Sequence, residues 1–337
     1  MSISFDIQRY DSCADLPATW DAHAPHFFMR TAALQALERT RPCGQQYCLA
    51  THAEGLVMAV TYRHKMPLLV GRGRNWFPVP VQMVGVPCSL SCCGYHVEGV
   101  NASVLAQISD DKGLTVVMNA QEPALDAFAS GSSLPSWILP VRWASFAEYL
   151  ASLRSSYRRR IQQAQRLAEP IVKRSLDRSA FDASHYRLYE AVYARSRYRL
   201  EKLELSFFRE FPADLDVFEI GGQPIGFVQT LLDGDRLTFM FGGMDYRQRD
   251  RYDVYWNLLL HVLEKGIQAG CREIDFGQTA GSTKARLGAL PVSRWFHARH
   301  ASSCWHAVLA KAAPFLSYRG NDKPLHVFRE QKNLRRS

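Results

Sequence analysis

Two aspartates and a lysine in the last third of the chain stand where side chains can do chemistry. Asp245 follows the run Leu237-Thr-Phe-Met-Phe-Gly-Gly-Met, Asp275 closes Cys271-Arg-Glu-Ile, and Lys284 lies four residues before Gly288. A carboxylate at a strand end can orient a nucleophile or accept its proton, although an ordinary aspartate is a poor base unless it is desolvated. A lysine in a loop beside a sheet can neutralise a phosphate, orient an acceptor or stabilise developing negative charge. Tyr246 and Gln278 follow closely and offer further polar contacts. No serine, histidine and acid arrangement is recognisable among them.

These residues need a frame. Leu237 to Phe241 has the apolar and aromatic content of a buried strand, and Gly242-Gly243 offers it a place to stop or bend. From Val254 to Ile267 apolar residues recur at spacings of three and four, which predicts a helix with a broad packing stripe. The run to Asp275 returns the chain to the sheet. Upstream, Leu215 to Ile220, the turn Gly221-Gly222 and Ile225 to Leu232 form a strong hairpin signal, and Asp233-Gly234-Asp235 turns into the strand at Leu237.

The order Phe-Gly-Gly-Met-Asp-Tyr, long helix, Asp-Phe-Gly and Lys284-x-x-x-Gly288, with the arginine-rich Tyr157-Arg-Arg-Arg-Ile161 just upstream, resembles the FemAB-like transferases of the GNAT acyltransferase superfamily. The subgroup closest in appearance is that of acetyltransferases from cellulose and exopolysaccharide clusters. What the resemblance implies is an α/β protein with twin acyl-CoA N-acyltransferase (GNAT-like) domains and mixed, mostly antiparallel sheets. It further implies acyl transfer by direct attack, without an acyl-enzyme, from acyl-CoA (acetyl-CoA foremost) to an amine of a small molecule or sugar intermediate. Lys284, Asp275 and Asp245 are then the expected catalytic residues.

One departure bears on the donor. Members of the superfamily follow the fourth strand with a glycine-rich loop whose amides cradle the pyrophosphate of coenzyme A. Here Arg247-Gln-Arg249-Asp-Arg251-Tyr-Asp253 contains no glycine. Either Arg247, Arg249 and Arg251 replace the amides as donor contacts, or the donor is an aminoacyl-tRNA, as in the FemAB group. Ser145 with Glu148 three residues on reads as a capping box, and the helix it starts either bends or restarts near Ser155-Ser156. From there to Leu167, Arg158 and Arg159 lie on the charged face, and arginine forks there match a phosphate of coenzyme A, of a nucleotide-linked sugar or of tRNA. A helix read from Asp182 to Arg199 repeats Tyr186, Tyr189, Tyr193 and Arg197 at spacings of three and four. In the resembling enzymes this helix flanks the acceptor cleft, which makes Tyr193 and Arg197, with Tyr246 and Gln278, expected substrate contacts. A non-catalytic polyanion-binding scaffold on the same fold is the rival reading.

The chain has 337 residues, formal charge +9 and a pI near 9.2, so its surface attracts phosphate-bearing partners. It is 47% hydrophobic and 22% charged, with no apolar run long enough to span a bilayer and no secretory leader at Met1, which makes a cytoplasmic location the expectation. Cys88, Cys92, Cys93 and His96 lack the spacing of a closed zinc set, and no metal is expected.

Expected domains are residues 1–135, a degenerate N-terminal copy, residues 136–320, the transfer domain, and residues 321–337, a basic tail. In the first, a helix from Arg30 to Arg39, strands at 46–50 and 56–62, a helix over Val97 to Asp111 and a strand at Leu114 to Met118 are read from pattern. Gly71-Arg-Gly73-Arg74 reads as a surface turn. Residues 121–136 read as a joint or surface loop. An apolar-striped helix over Trp305 to Tyr318 is expected to dock onto the sheet; a membrane surface is the other use for such a stripe.

Overall fold

The computed structural model describes residues 5–67, 78–88, 90–110, 112–199, 201–320 and 324–329. The stretch from Gly71 to Arg74 and the terminal Arg335-Arg336 lie outside the described residues. The chain forms two compact units, Met1–Leu134 with Ser293–Gly320, and Pro135–Val292 with Asn321–Ser337.

In the first unit the elements run β1 (Asp6–Tyr10), α1 (Trp20–His23), α2 (Thr31–Thr40), β2 (Gln46–His52), β3 (Gly55–Pro67), β4 (Pro78–Val84), β5 (Tyr95–Glu98), α3 (Leu105–Ile108), β6 (Leu114–Ala120) and the start of β7 (Ala129–Pro140). Neighbouring strands are β1-β2-β3-β4-β6, all antiparallel except the parallel pair β4 and β6. The helix expected over 97–111 is mostly absent. β3 is 13 residues long, and β5 occupies Leu56 to Ala59 of it while β4 occupies Thr61 to Pro67, so Tyr95 to Glu98 are taken as ladder partners and only a short helix remains. The expected loop at 129–136 is also corrected, because these residues are strand. Their small side chains are required there: a Cβ on Gly131 would fall 2.6 Å from the Phe296 ring, and Ser130 Oγ lies 2.7 Å from His297 Nδ1.

The second unit continues with the rest of β7, then α4 (Phe146–Ser152), α5 (Ser155–Leu167), β8 (Val172–Leu176), α6 (Ala183–Arg195), α7 (Leu205–Glu210), β9 (Asp214–Ile220), β10 (Gln223–Asp233), β11 (Arg236–Met244), α8 (Val254–Gln268), β12 (Glu273–Asp275) and α9 (Gly281–Arg286). Ser145 caps α4 by accepting from Glu148 N at 3.2 Å, as the sequence suggests. Strand order is β7-β12-β11-β10-β9-β8, with β11 and β12 the parallel pair. Gly221 and Gly222 both take positive φ in the β9 to β10 turn, which is why glycine is needed at both places. Val327 and Phe328 pack into the core of this unit, and Arg154 N donates to Val327 O at 3.0 Å.

One sheet face of this unit is covered by α8, whose Leu258, Leu259, Val262, Leu263 and Ile267 are buried against Ile225, Val228, Leu237 and Ile274. Buried Asn257 ties α8 to α5 by donating to Ala164 O at 2.9 Å. On the other side, Tyr189, Phe207, Phe208, Phe227 and Phe241 form one aromatic cluster from α6, α7, β10 and β11. The β10 to β11 register skips Met240, a bulge that lets Phe239 join the α8 core while Phe241 points into the aromatic cluster.

Gly243 does not end the strand, which runs to Met244. Its role is close approach: a Cβ there would lie 2.3 Å from the Phe227 ring and 2.7 Å from the backbone of Leu188 and Tyr189 in α6. Gly243→Ala is therefore expected to destabilise the fold by about 1–3 kcal/mol, read as a lowered urea midpoint. An unchanged midpoint would mean that α6 does not seat on β11 as described.

The chain then forms β13 (Leu290–His300), which pairs antiparallel with β6 of the first unit, and α10 (Ser303–Leu316). The expected docking of this last helix is only partial. Ala313 is buried and Leu309 packs beside Tyr62, Val81 and Met83, but most of the apolar stripe faces outward.

Candidate active site

The parallel ladder between β11 and β12 is three residues long and ends at Thr238 opposite Asp275. Beyond it the chain stays bonded to β7, with Phe276 N donating to Trp137 O at 2.9 Å and Trp137 N donating to Gly277 O at 3.0 Å. It no longer pairs with β11. Gly277 N instead donates to Asp275 Oδ1 at 2.7 Å, in a turn where Gly277 has φ +75°. The chain then enters α9, which lies flat on Trp137: a Cβ on Gly281 would sit 2.4 Å from the indole. That seat turns Lys284 inward.

Lys284 is 2% exposed. Burial pulls its ammonium down from the ordinary 10.5 to about 7, against the opposing pull of the Asp275 carboxylate. Its Nζ would be 3.9 Å from a Cβ built on Gly277, so amine and turn are immediate neighbours. Asp275 is 3% exposed, and Arg236 Nη2 donates to its Oδ2 at 2.6 Å. The other guanidinium nitrogen, Arg236 Nη1, lies 2.9 Å from Glu273 Oε1. A buried amine that is half deprotonated near neutrality, beside a carboxylate anchored by arginine, can exchange a proton with a bound nucleophile. Gln278 is half-buried one residue beyond Gly277.

Asp245 belongs to a different group. Its carboxylate accepts from Arg247 N at 2.9 Å and from Arg247 Nη2 at 2.9 Å, and these bonds hold its pKa below the usual carboxylate value. A carboxylate so stabilised as an anion is a weak proton acceptor, so the structure gives Asp245 the geometry of a turn-former. Arg249 is paired with Asp250 at 2.8 Å, and Arg251 lies over the Tyr252 ring at 5.0 Å. Two of the three loop arginines thus already have carboxylate partners. Tyr246 is covered by Arg195 at 4.1 Å and Arg249 at 5.9 Å.

Arg158 is half-buried and Arg159 exposed on α5. Their neighbour Arg160 makes the structural contacts, lying 2.5 Å from Asp253 Oδ2 and 4.4 Å over Trp256 at the start of α8. Tyr193 is half-buried with its ring 6.1 Å from Tyr189. Arg197 departs from expectation: α6 ends at Arg195, Ser196 turns extended, and Arg199 folds back to donate to Ala194 O at 2.9 Å. Helical spacing therefore does not carry Arg197 onto the tyrosine stripe, and it lies exposed over Tyr198 at 5.7 Å.

Three contributors were not read from the sequence: Arg236, Arg195 and Arg160. Arg236 reaches Asp275 only because the parallel register sets it opposite Glu273, a pairing with no local signal. Arg195 and Arg160 stood in basic runs, where nothing separates the residue that stacks from those that are solvated.

No curated protein matches the sequence. The family model described as an acetyltransferase (GNAT) domain matches residues 151–285, which include α5, the strands β8 to β12, α8 and Lys284. The crystal structure of FemX is similar with a TM-score of 0.50 at 11% identity, covering 86% of this chain and 96% of that one. A conserved protein of unknown function from Bacteroides thetaiotaomicron is similar with a TM-score of 0.50 at 12% identity, covering 87% of this chain and 99% of that one. Together with the order of elements around α8, these similarities show a GNAT-like fold of the kind that FemX also has.

Proposed function

We propose that the protein is an N-acyltransferase that moves an acyl group, acetyl foremost, from acyl-CoA to an amine of a small molecule or sugar intermediate by direct attack. The observation that carries this reading is the buried Lys284 amine with a pKa of about 7 beside Asp275. The acceptor nitrogen forms the new bond to the carbonyl carbon and the carbon–sulfur bond breaks. The proton displaced from nitrogen passes to Lys284 Nζ and from there to the departing thiolate. Asp275, held by Arg236 and the Gly277 amide, keeps the transient ammonium in place. Arg158, Arg159 and Arg251 are the proposed donor-phosphate contacts, with Arg247 and Arg249 available once they exchange their carboxylates; Tyr193, Arg197, Tyr246 and Gln278 are proposed on the acceptor side. The first unit, which like the second has a parallel strand pair, is proposed as a degenerate second copy of the fold, in a cytoplasmic protein.

A second reading rests on the loop from Asp245 to Asp253, which lacks glycine and whose Arg247 and Arg249 are already paired with Asp245 and Asp250. That arrangement suits an aminoacyl-tRNA donor, which needs no pyrophosphate cradle at this point. Acetyl-CoA, longer acyl-CoAs, free CoA and bulk aminoacyl-tRNA are to be compared by thermal stabilisation, because native-state binding raises the midpoint; ligand at about 100 times Kd contributes about 2.7 kcal/mol. A shift with CoA species followed by amine acylation is expected. Stabilisation by aminoacyl-tRNA alone would select the second reading, and no shift with either would remove the transferase proposal.

A further inference from the structure

The described residues include nine exposed large hydrophobics, and four of them, Trp305, Val308, Phe315 and Leu316, stand on α10. They are 61%, 53%, 79% and 67% exposed. At about 100° per residue they fall with Ala312 in one sector of the helix, and Leu309 and Ala313, which hold it to the first unit, lie along the border of that sector. A helix of 14 residues is about 21 Å long, too short to cross a bilayer but long enough to lie along its surface. Among the described residues no helix is long and apolar enough to cross a membrane.

The charge around α10 says what covers it. From Ser293 to Gly320, the part of the first unit that holds α10, the sequence contains no aspartate or glutamate, and it carries Arg294, Arg299, Lys311 and Arg319. Arg299 lies just before α10, Lys311 within it and Arg319 just after it, where its guanidinium donates to Pro314 O at 3.4 Å. A second copy of the chain is a poor occupant, because a two-fold contact brings the same patch against itself and would set Lys311 and Arg319 against their own copies, and α10 itself carries no carboxylate to pair them. An anionic bilayer offers both an acyl boundary for the tryptophan, phenylalanine and leucine and phosphates for the cationic rim.

We propose that α10 is an interfacial helix that seats the protein on an anionic lipid surface, with Trp305, Val308, Phe315 and Leu316 inserted at the headgroup boundary. The test uses the full chain with large vesicles of phosphatidylcholine, with and without phosphatidylglycerol, read by co-sedimentation. Binding is expected to be at least about tenfold tighter to the anionic vesicles and to weaken with salt. The double variant Phe315→Ser with Leu316→Ser is expected to lose at least about tenfold in partitioning, and Lys311→Glu with Arg319→Glu to lose the preference for anionic lipid. Both pairs are exposed, and an unchanged thermal midpoint identifies variants that still fold. Equal binding to neutral and anionic vesicles, or none to either, overturns the proposal. So does concentration-dependent self-association that Phe315→Ser abolishes while vesicle binding persists.

Discussion

Replacing Lys284 with Met is expected to lower turnover by about 10²–10⁴-fold while making the protein more stable at neutral pH. The first effect follows from the proposed proton transfer, which Met cannot perform. The second follows from burial. The folded lysine has a pKa of about 7 against 10.5 when exposed, so at pH 7 the unfolded chain holds a proton that the folded chain half releases. That difference costs the native state about 4 kcal/mol, and an apolar side chain of similar length recovers about 2–4 kcal/mol of it. The sign with pH is definite. Between about 7 and 10.5 the unfolded state binds more protons, so the contribution of this lysine to stability becomes less unfavourable as pH rises. Urea unfolding of both proteins at pH 7 and near pH 10 checks this, and the advantage of Lys284→Met should shrink toward the higher pH. In the active enzyme kcat/KM should rise through pH 7 as the lysine loses its proton. Full turnover by Lys284→Met, or a rate that falls through pH 7, would remove the lysine from its role as proton acceptor.

Asp275→Asn is expected to lower turnover and to move the acid limb of the pH profile below its wild-type position. The carboxylate favours the charged form of Lys284, so without it the amine deprotonates at lower pH. A merely structural aspartate would reduce stability without moving the limb, which makes the pH profile the decisive readout. Asp275→Ala goes further, because it also strips the acceptor from Arg236 Nη2 and the Gly277 amide. Its expected cost is about 1–3 kcal/mol, moderated because Arg236 is partly exposed and retains Glu273. An acid limb at the wild-type position in Asp275→Asn would leave Asp275 as a fold residue only.

The two results are coupled. Lys284 and Asp275 are neighbours in one group, so their effects on turnover should fall short of additive, whereas Gly243→Ala lies on the α6 side of the sheet and should add independently to the stability loss.

What the sequence determined by itself was local. The strands at β9, β10 and β11 and the helix α8 follow from alternation, from glycine turns with positive φ, and from apolar spacing of three and four, all of which are carried by residues close together in the chain. Ser145 and Glu148 marked a helix start for the same reason. Lys284 and Asp275 could be singled out as positions because each follows or ends such an element. Their chemistry was decided elsewhere. Whether a lysine is an exposed cation or a buried amine with a pKa of about 7 depends on Trp137 under Gly281 and on the turn at Gly277, contributed by separate strands and turns of the fold. The arginine that holds Asp275 lies 39 residues away and arrives through a parallel register. Residues 129–136 looked like a loop because small polar residues usually mark one, and are strand because β7 lies between β13 and β12, partners distant in the chain. The stripe on α10 was visible in the sequence, but only the position of Leu309 and Ala313 decided which side of it was left to solvent. Periodicity is a property of neighbouring residues, while desolvation, register and exposure depend on distant ones, and those set the site.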